Sequence, residues 1–146
     1  MAHRDRTTTY DPSQVIVTFG SLQLRGFQDG TFIKCARAEA KYTTKAGADG
    51  ETARTRNLNR AGTVEVTLLQ TSVSNAELLA KHIADENSAG GLTPEPLVVK
   101  DLNGNSLTVA GEAWIEKAPN EEYAKEVGGR VWIFGTGNLR LGPAGN

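Results

Sequence analysis

The tightest constraint on this chain is a pair of alternating runs, 31–42 and 57–70, held apart by the polar stretch 43–56. In the first run Phe32, Ala36, Ala38, Ala40 and Tyr42 point one way, and Arg37, Glu39 and Lys41 point the other. In the return run Val64, Val66 and Leu68 oppose Thr63, Glu65 and Thr67. Period-two alternation is the mark of a half-buried strand. The two runs therefore predict one long hairpin. Its apolar face is largely alanine over Ala36–Ala40, too thin to fill a core alone. The intervening stretch reads as a long loop, well beyond the roughly two to five residues that a hairpin needs. Such loops are functional or disordered. A hairpin with one watered face and an oversized loop reads as part of a larger sheet, completed by neighbouring subunits.

The remaining chain is mostly β in pattern. Residues 1–13 are polar and predict an N-terminal arm. Residues 14–19 predict a strand, and 21–27 its partner across a short turn at Gly20. One helix is expected at about 74–87. Ser74 would be its N-cap, Glu77 would complete a capping box, and Val73 with Leu78 would form a staple. Leu79 and Ile83 would extend its apolar stripe, and Gly90-Gly91 would stop it. Residues 97–101 and 105–117 predict a second hairpin around Asn103-Gly104. In its return strand Leu107, Val109, Ala113 and Ile115 share one face, and Thr108, Glu112, Trp114 and Glu116 the other. The last long strand, 129–138, is apolar on both faces, so its buried side stays open. Residues 142–146 read as a tail.

Composition narrows the function classes. The 146 residues suit one domain, 1–146. A net charge of −1 gives no global case for nucleic-acid binding. The single cysteine, Cys35, leaves no internal disulfide and suits a reducing compartment. No apolar run approaches the ~20 residues of a membrane span. The N-terminus lacks a signal-peptide core. The expectation is a soluble protein, made in a cytoplasm, that does not bind membranes.

Chemical motifs are weak. Residues 101–105 resemble a calcium loop only faintly, because Ser106 stands where an EF-hand needs glycine and the flanks are strands. Gly135-Thr136-Gly137 is too short for a dinucleotide fingerprint. Cys35 has no histidine near it in sequence, and His82 reads as a packing residue of the helix. No metal cluster, nucleophile elbow or P-loop is present. No catalytic, cofactor-binding or metal-ligating residue is expected, and an enzyme is not. Arg54, Arg56 and Arg60 form the most basic stretch, but Asp49 and Glu51 lie beside them without interleaved aromatics. A protein contact or a solvated loop fits better than a phosphate site.

Three segments carry a resemblance. They are Tyr10-Asp11-Pro12-Ser13-Gln14-Val15-Ile16-Val17, then Phe32-Ile33, then Arg60-Ala61-Gly62-Thr63-Val64-Glu65-Val66-Thr67-Leu68 before a Ser-x-x-Glu helix. In order and style the chain resembles the tail tube proteins of contractile-tailed bacteriophages, from about Tyr10 to Leu141. The resemblance implies a mainly β, antiparallel barrel or sandwich subunit with two long hairpins and one flanking helix. It implies hexameric rings stacked into a tube in the virion tail, assembled in the host cytoplasm. The implied partners are further copies of the chain, the tail sheath, baseplate or initiator proteins and a tape measure protein, with DNA in transient passage. The 43–56 loop would reach the adjacent ring through Lys45, Asp49, Glu51, Arg54 and Arg56. The charged hairpin face would line the channel through Arg37, Glu39, Lys41, Thr63, Glu65 and Thr67, with Glu112 and Glu116 from the second hairpin. A lumen without strong positive charge is expected, because a basic pore would grip DNA. R-type pyocin and type VI secretion tubes share this architecture. A monomeric β-sandwich binding module is the alternative of another class.

Overall fold

Strand-forming runs separated by glycine turns build one antiparallel sheet that folds over on itself. The structure, a computed structural model, describes residues 7, 9–104 and 106–142. Its strands are β1 (Val15–Phe19), β2 (Leu22–Gln23), β3 (Ile33–Arg37), β4 (Tyr42–Ala46), β5 (Thr52–Arg56), β6 (Gly62–Leu69), β7 (Glu95–Asp101), β8 (Leu107–Lys117), β9 (Gly129–Thr136) and β10 (Leu139–Leu141). One helix, α1 (Val73–Asn87), and a 3-10 turn at Pro12–Gln14 complete the set among the described residues. Eight strands form one sheet in the order β2-β1-β7-β8-β9-β6-β3, with β10 also on β8. The sheet does not close into a barrel; the layers meet as a sandwich.

The alternation of β6 is carried out fully: Gly62, Val64, Val66 and Leu68 are buried, and the residues between them are half-buried. Across β6, β3 pairs Ile33 with Val66 and Cys35 with Val64. That register inverts the face expected for the first run. Ile33 and Cys35 pack on the core, while Lys34 and Ala36 lie with Glu65 and Thr63 on the other side. The single long strand 31–42 is also broken, because β3 stops at Arg37 and a bend precedes β4. Alternation in the sequence was real, but the alanines misled: a thin apolar face is outbid by Ile33 and Cys35, which bury more area.

The open question of the last strand is answered by pairing. Arg130, Trp132 and Phe134 face inward on β9, and Val131 and Ile133 face outward. Phe134 stacks at 5.0 Å on Phe19 from the opposite layer. Strand β8 serves both layers. Its strict alternation fails because the register to β7 shifts between Leu97↔Ala110 and Glu95↔Ala113. Ala110 rather than Val109 therefore joins Ala113 and Ile115 in the core. Such bulges bend a strand and raise its twist.

Helix α1 closes the sandwich over Trp132, whose Nε1 donates to Asn75 Oδ1 at 2.9 Å. The helix begins one residue earlier than expected, and its N-cap is Ser72, not Ser74. Ser72 Oγ accepts from Ser74 N and donates to the Arg25 carbonyl. Ser74 lies buried inside the helix, and its Oγ accepts from Arg25 N at 2.9 Å. The capping box and staple are thereby lost, and Val73 is exposed. The inward stripe is Ser74, Leu78 and half-buried His82; Leu79 and Ile83, expected inside, are exposed. Hydrogen bonds to Arg25 and Trp132 fix the helix rotation, which the apolar pattern alone mispredicts.

Candidate assembly surfaces

Two features stand apart from the packed body. The first is the stretch 43–56, expected as a loop. It is instead a two-stranded sheet of its own, β4 paired to β5 from Tyr42↔Arg56 to Ala46↔Thr52. The expectation of a loop is corrected for a local reason. Thr43, Thr44, Thr52 and Thr55 are β-branched strand formers, and Gly47-Ala48-Asp49-Gly50 supplies the turn. Gly47 N donates to the Glu51 carbonyl at 2.7 Å, and Gly50 takes φ +87°. Thr-rich ends flanking a Gly–Gly turn are the signal that could have revealed this hairpin. Every residue of it is exposed except half-buried Tyr42. Arg54 stacks on the Tyr42 ring at 4.3 Å. At the base, Glu39 accepts from Asn57 Nδ2 at 2.5 Å and from Asn59 Nδ2 at 3.4 Å. Those bonds hold the Glu39 carboxyl below its ordinary range. Lys45, Asp49, Glu51, Arg54 and Arg56 all sit on this arm. Both of its edges are open among the described residues, so it is an arm that contributes nothing to its own core.

The second feature is the outer face of the layer β8-β9-β6-β3. Register places Thr63, Glu65 and Thr67 on it, beside Ile133 and Val131 of β9. Trp114 and Glu116 lie over Gly135, where an added Cβ would stand 2.8 Å from Trp114 Nε1 and from Glu116 Oε2. Glu112 belongs to the β8 bulge and shares a shallow surface with Trp114. The sequence-derived set is thus partly gathered and partly dispersed. Arg37 leaves it, because it pairs with Gly62 on the core side and donates through Nε and Nη2 to the Leu139 carbonyl at 3.2 and 2.9 Å. Glu39 and Lys41 also leave it, since both fall in the bend beyond β3. Lys34 joins it, having been missed through the inverted β3 register. Lys117 joins it as well, through the register shift that sets it opposite Ile133. Arg140 of β10, opposite Val109, lines the surface that Glu112 and Trp114 share, so the face carries three bases, Lys34, Lys117 and Arg140, against three acids, Glu65, Glu112 and Glu116.

This layer also ends in two unsatisfied edges. Among the described residues, strand β3 pairs with β6 alone. At the far side β7 leaves β8 after Ala113, so 114–117 have a strand partner on the β9 side only, among the described residues. Open edges of this kind template pairing with another chain.

Burial pushes the Cys35 thiol up, against a weaker hydrogen bond from Thr108, which keeps it protonated and poorly nucleophilic. His82 is engaged with Glu86 at 3.0 Å on the helix. Among the described residues no group of three or more His, Cys, Asp or Glu side chains is placed to hold a metal; Asn105 of the calcium-like run lies outside them.

Comparisons with known proteins agree with a structural role. The chain is 29% identical over 147 residues to structural protein ORF10 of Pseudomonas phage KPP10, covering 97% of this chain and 85% of that one. Its fold is similar to a protein of the anti-feeding prophage cap, which terminates that tube, at a TM-score of 0.59 and 8% identity, over 96% of this chain and 95% of that one. It is similar also to a chain of the PVC sheath–tube complex of an extracellular contractile injection system in its extended state, at a TM-score of 0.62 and 8% identity, over 91% and 90% of the two chains. The family model of the bacteriophage PhiTE tail tube protein matches residues 15–142, from the first strand to just past the last, and the chain therefore belongs to that tail tube family, a structural component of the virion and not an enzyme.

Proposed function

We propose that this subunit builds the inner tube of a contractile phage tail from stacked hexameric rings, through which DNA passes into the host. The observation that carries the reading is the pair of open edges on β8-β9-β6-β3. Four antiparallel strands are an even number. Head-to-tail closure would then set β3 of one copy antiparallel to β8 of the next, and closure removes the edges. The outer face of that layer would become the wall of the channel. Its balance of acids and bases suits a conduit, because each neutralised phosphate would add salt-dependent grip on DNA. The β4–β5 arm would reach the adjacent ring through Lys45, Asp49, Glu51, Arg54 and Arg56. Sheath, initiator and tape measure proteins are the further partners of such a tube, and assembly would take place in the host cytoplasm. The phage family match and the phage relative favour this over a pyocin or secretion tube.

Electron microscopy of the purified protein across concentration, with rotational averaging of end-on views, tests the reading. Hollow particles with six-fold symmetry are expected. A strict monomer or a closed two-fold dimer at every concentration overturns it.

A further inference from the structure

The two ends of the outer layer carry opposite charge. Strand β6 runs from Gly62 to Leu69, paired to Thr136 at one end and Gly129 at the other. The arm leaves at the Gly62 end, between β3 and β6. The β8–β9 connection, residues 118–128, closes the Gly129 end, where Gln70 N donates to the Gly128 carbonyl at 3.0 Å. Eight residues of strand separate those ends by about 23 Å. Residues 41–56 hold four bases, Lys41, Lys45, Arg54 and Arg56, against Asp49 and Glu51, a net of +2. Residues 118–128 hold Glu121, Glu122 and Glu126 against Lys125, a net of −2.

Neither charge is neutralised by an ion pair within the subunit, although Arg54 stacks on the Tyr42 ring. Among the described residues, no base of the arm and no acid of the 118–128 connection has an ion-pair partner. Three acids of the helix side, by contrast, are engaged: Glu95 with Lys81 at 2.5 Å, Glu86 with His82 at 3.0 Å, and Asp85 with Leu92 N at 2.5 Å. The connection is also braced from beneath. Buried Arg130 donates Nη1 to the Gly129 carbonyl at 3.3 Å and Nη2 to the Glu122 carbonyl at 3.2 Å. Its guanidinium lies 5.6 Å from the Tyr123 ring. Tyr123, 77% exposed, and exposed Val127 offer apolar contact between the acids.

We propose that the basic β4–β5 arm of one copy docks on the acidic 118–128 connection of a second copy stacked end to end. The proposal rests on the tube reading above and names the receptor that reading leaves open. Ligand and receptor lie at opposite ends of one molecule, so the contact is heterologous and does not close on itself, which is the geometry of a filament. Charge complementarity sets polarity and register, because like ends repel.

Charge reversal tests it, with wild-type protein as reference. K45E/R56E, which spares the Arg54–Tyr42 stack, and E121R/E122R should each melt as the wild type does, being surface changes, and should each form rings that fail to stack. The concentration needed for tubes, read by sedimentation and microscopy, should rise at least about tenfold in either variant. The combined four-site variant should restore tubes. E121R/E122R stacking at the wild-type concentration, or a four-site variant that stacks no better than K45E/R56E, overturns the docking while leaving the tube reading intact. Wild-type protein that forms neither rings nor tubes overturns both.

Discussion

The sandwich body and the β4–β5 arm are built from the same strand chemistry and stabilised in opposite ways. In the body, β6 buries every second residue, and Val17, Val66, Leu68, Leu78, Phe134 and Leu139 are fully inside. Each large apolar side chain there contributes about 1.5–3 kcal/mol. In the arm nothing is buried, and a lone two-stranded hairpin is at best marginally stable in water. The arm is held by the Arg54–Tyr42 stack, worth about 0.5–1 kcal/mol at an exposed site, and by the Glu39 bonds at its base. The difference teaches that order need not imply a core. The body is stabilised by its own core, while the arm keeps its shape with nearly all of its residues in solvent.

That contrast predicts a steep gradient of mutational cost. The largest effect is expected for V66D, which buries an uncompensated charge at a fully enclosed site. It should cost about 3–5 kcal/mol and leave insoluble or molten protein, as read by circular dichroism; a native-like soluble variant would invert the assignment of the core face. N75A should cost about 1–3 kcal/mol in denaturant unfolding, because it strands the buried Trp132 Nε1 and leaves the Leu69 carbonyl with Ser72 N as donor in place of two. At the junction, G62A would set a Cβ 2.7 Å from Leu139 Cδ2 and 2.8 Å from the Ala36 carbonyl. Its expected cost is about 1–3 kcal/mol of overpacking, and an unchanged melting temperature would show the junction to be slack.

The arm should behave otherwise. Replacing residues 44–54 by Asn-Gly keeps the Thr43↔Thr55 pair beside a two-residue turn. The melting temperature should barely move, while stacking into tubes should stop. Tubes of wild-type length from this variant would remove the arm from assembly. The smallest effect concerns Glu39. Its folded carboxyl sits below the ordinary value of 4.5, so its bonds to Asn57 and Asn59 contribute above that value and are lost as pH falls through the lowered one. The side-chain amide resonances of Asn57 and Asn59 should shift together on acidification, and E39Q should remove that transition.

Much of the body was legible in the chain. Alternation at Val64, Val66 and Leu68 located β6, and the helix was found within one residue of its start. Asn103-Gly104 marked the place of the β7–β8 turn but not its kind: the tight primed turn expected there is replaced by a longer connection inside the Asp101 N to Ser106 carbonyl bond, with neither Asn103 nor Gly104 at positive φ. Errors arose where two residue sets competed for one side. The Ala36–Ala40 run hid the inward Ile33 and Cys35, and the apolar Leu79 and Ile83 hid the inward Ser74 and His82. In both places pairing register or buried hydrogen bonds overrode local hydrophobicity.

By itself the sequence determined the class of structure: alternating apolar residues commit a chain to half-buried strands whatever their partners. It also determined the charges of the arm and of the 118–128 connection. Only the tertiary structure decided which strands neighbour one another, that β3 and the end of β8 are left open, and that arm and acidic connection stand at opposite ends of one layer. The physical reason is that alternation has a period of two residues along the chain, whereas register, edges and ends are relations between segments far apart in sequence, settled by packing and hydrogen bonding together.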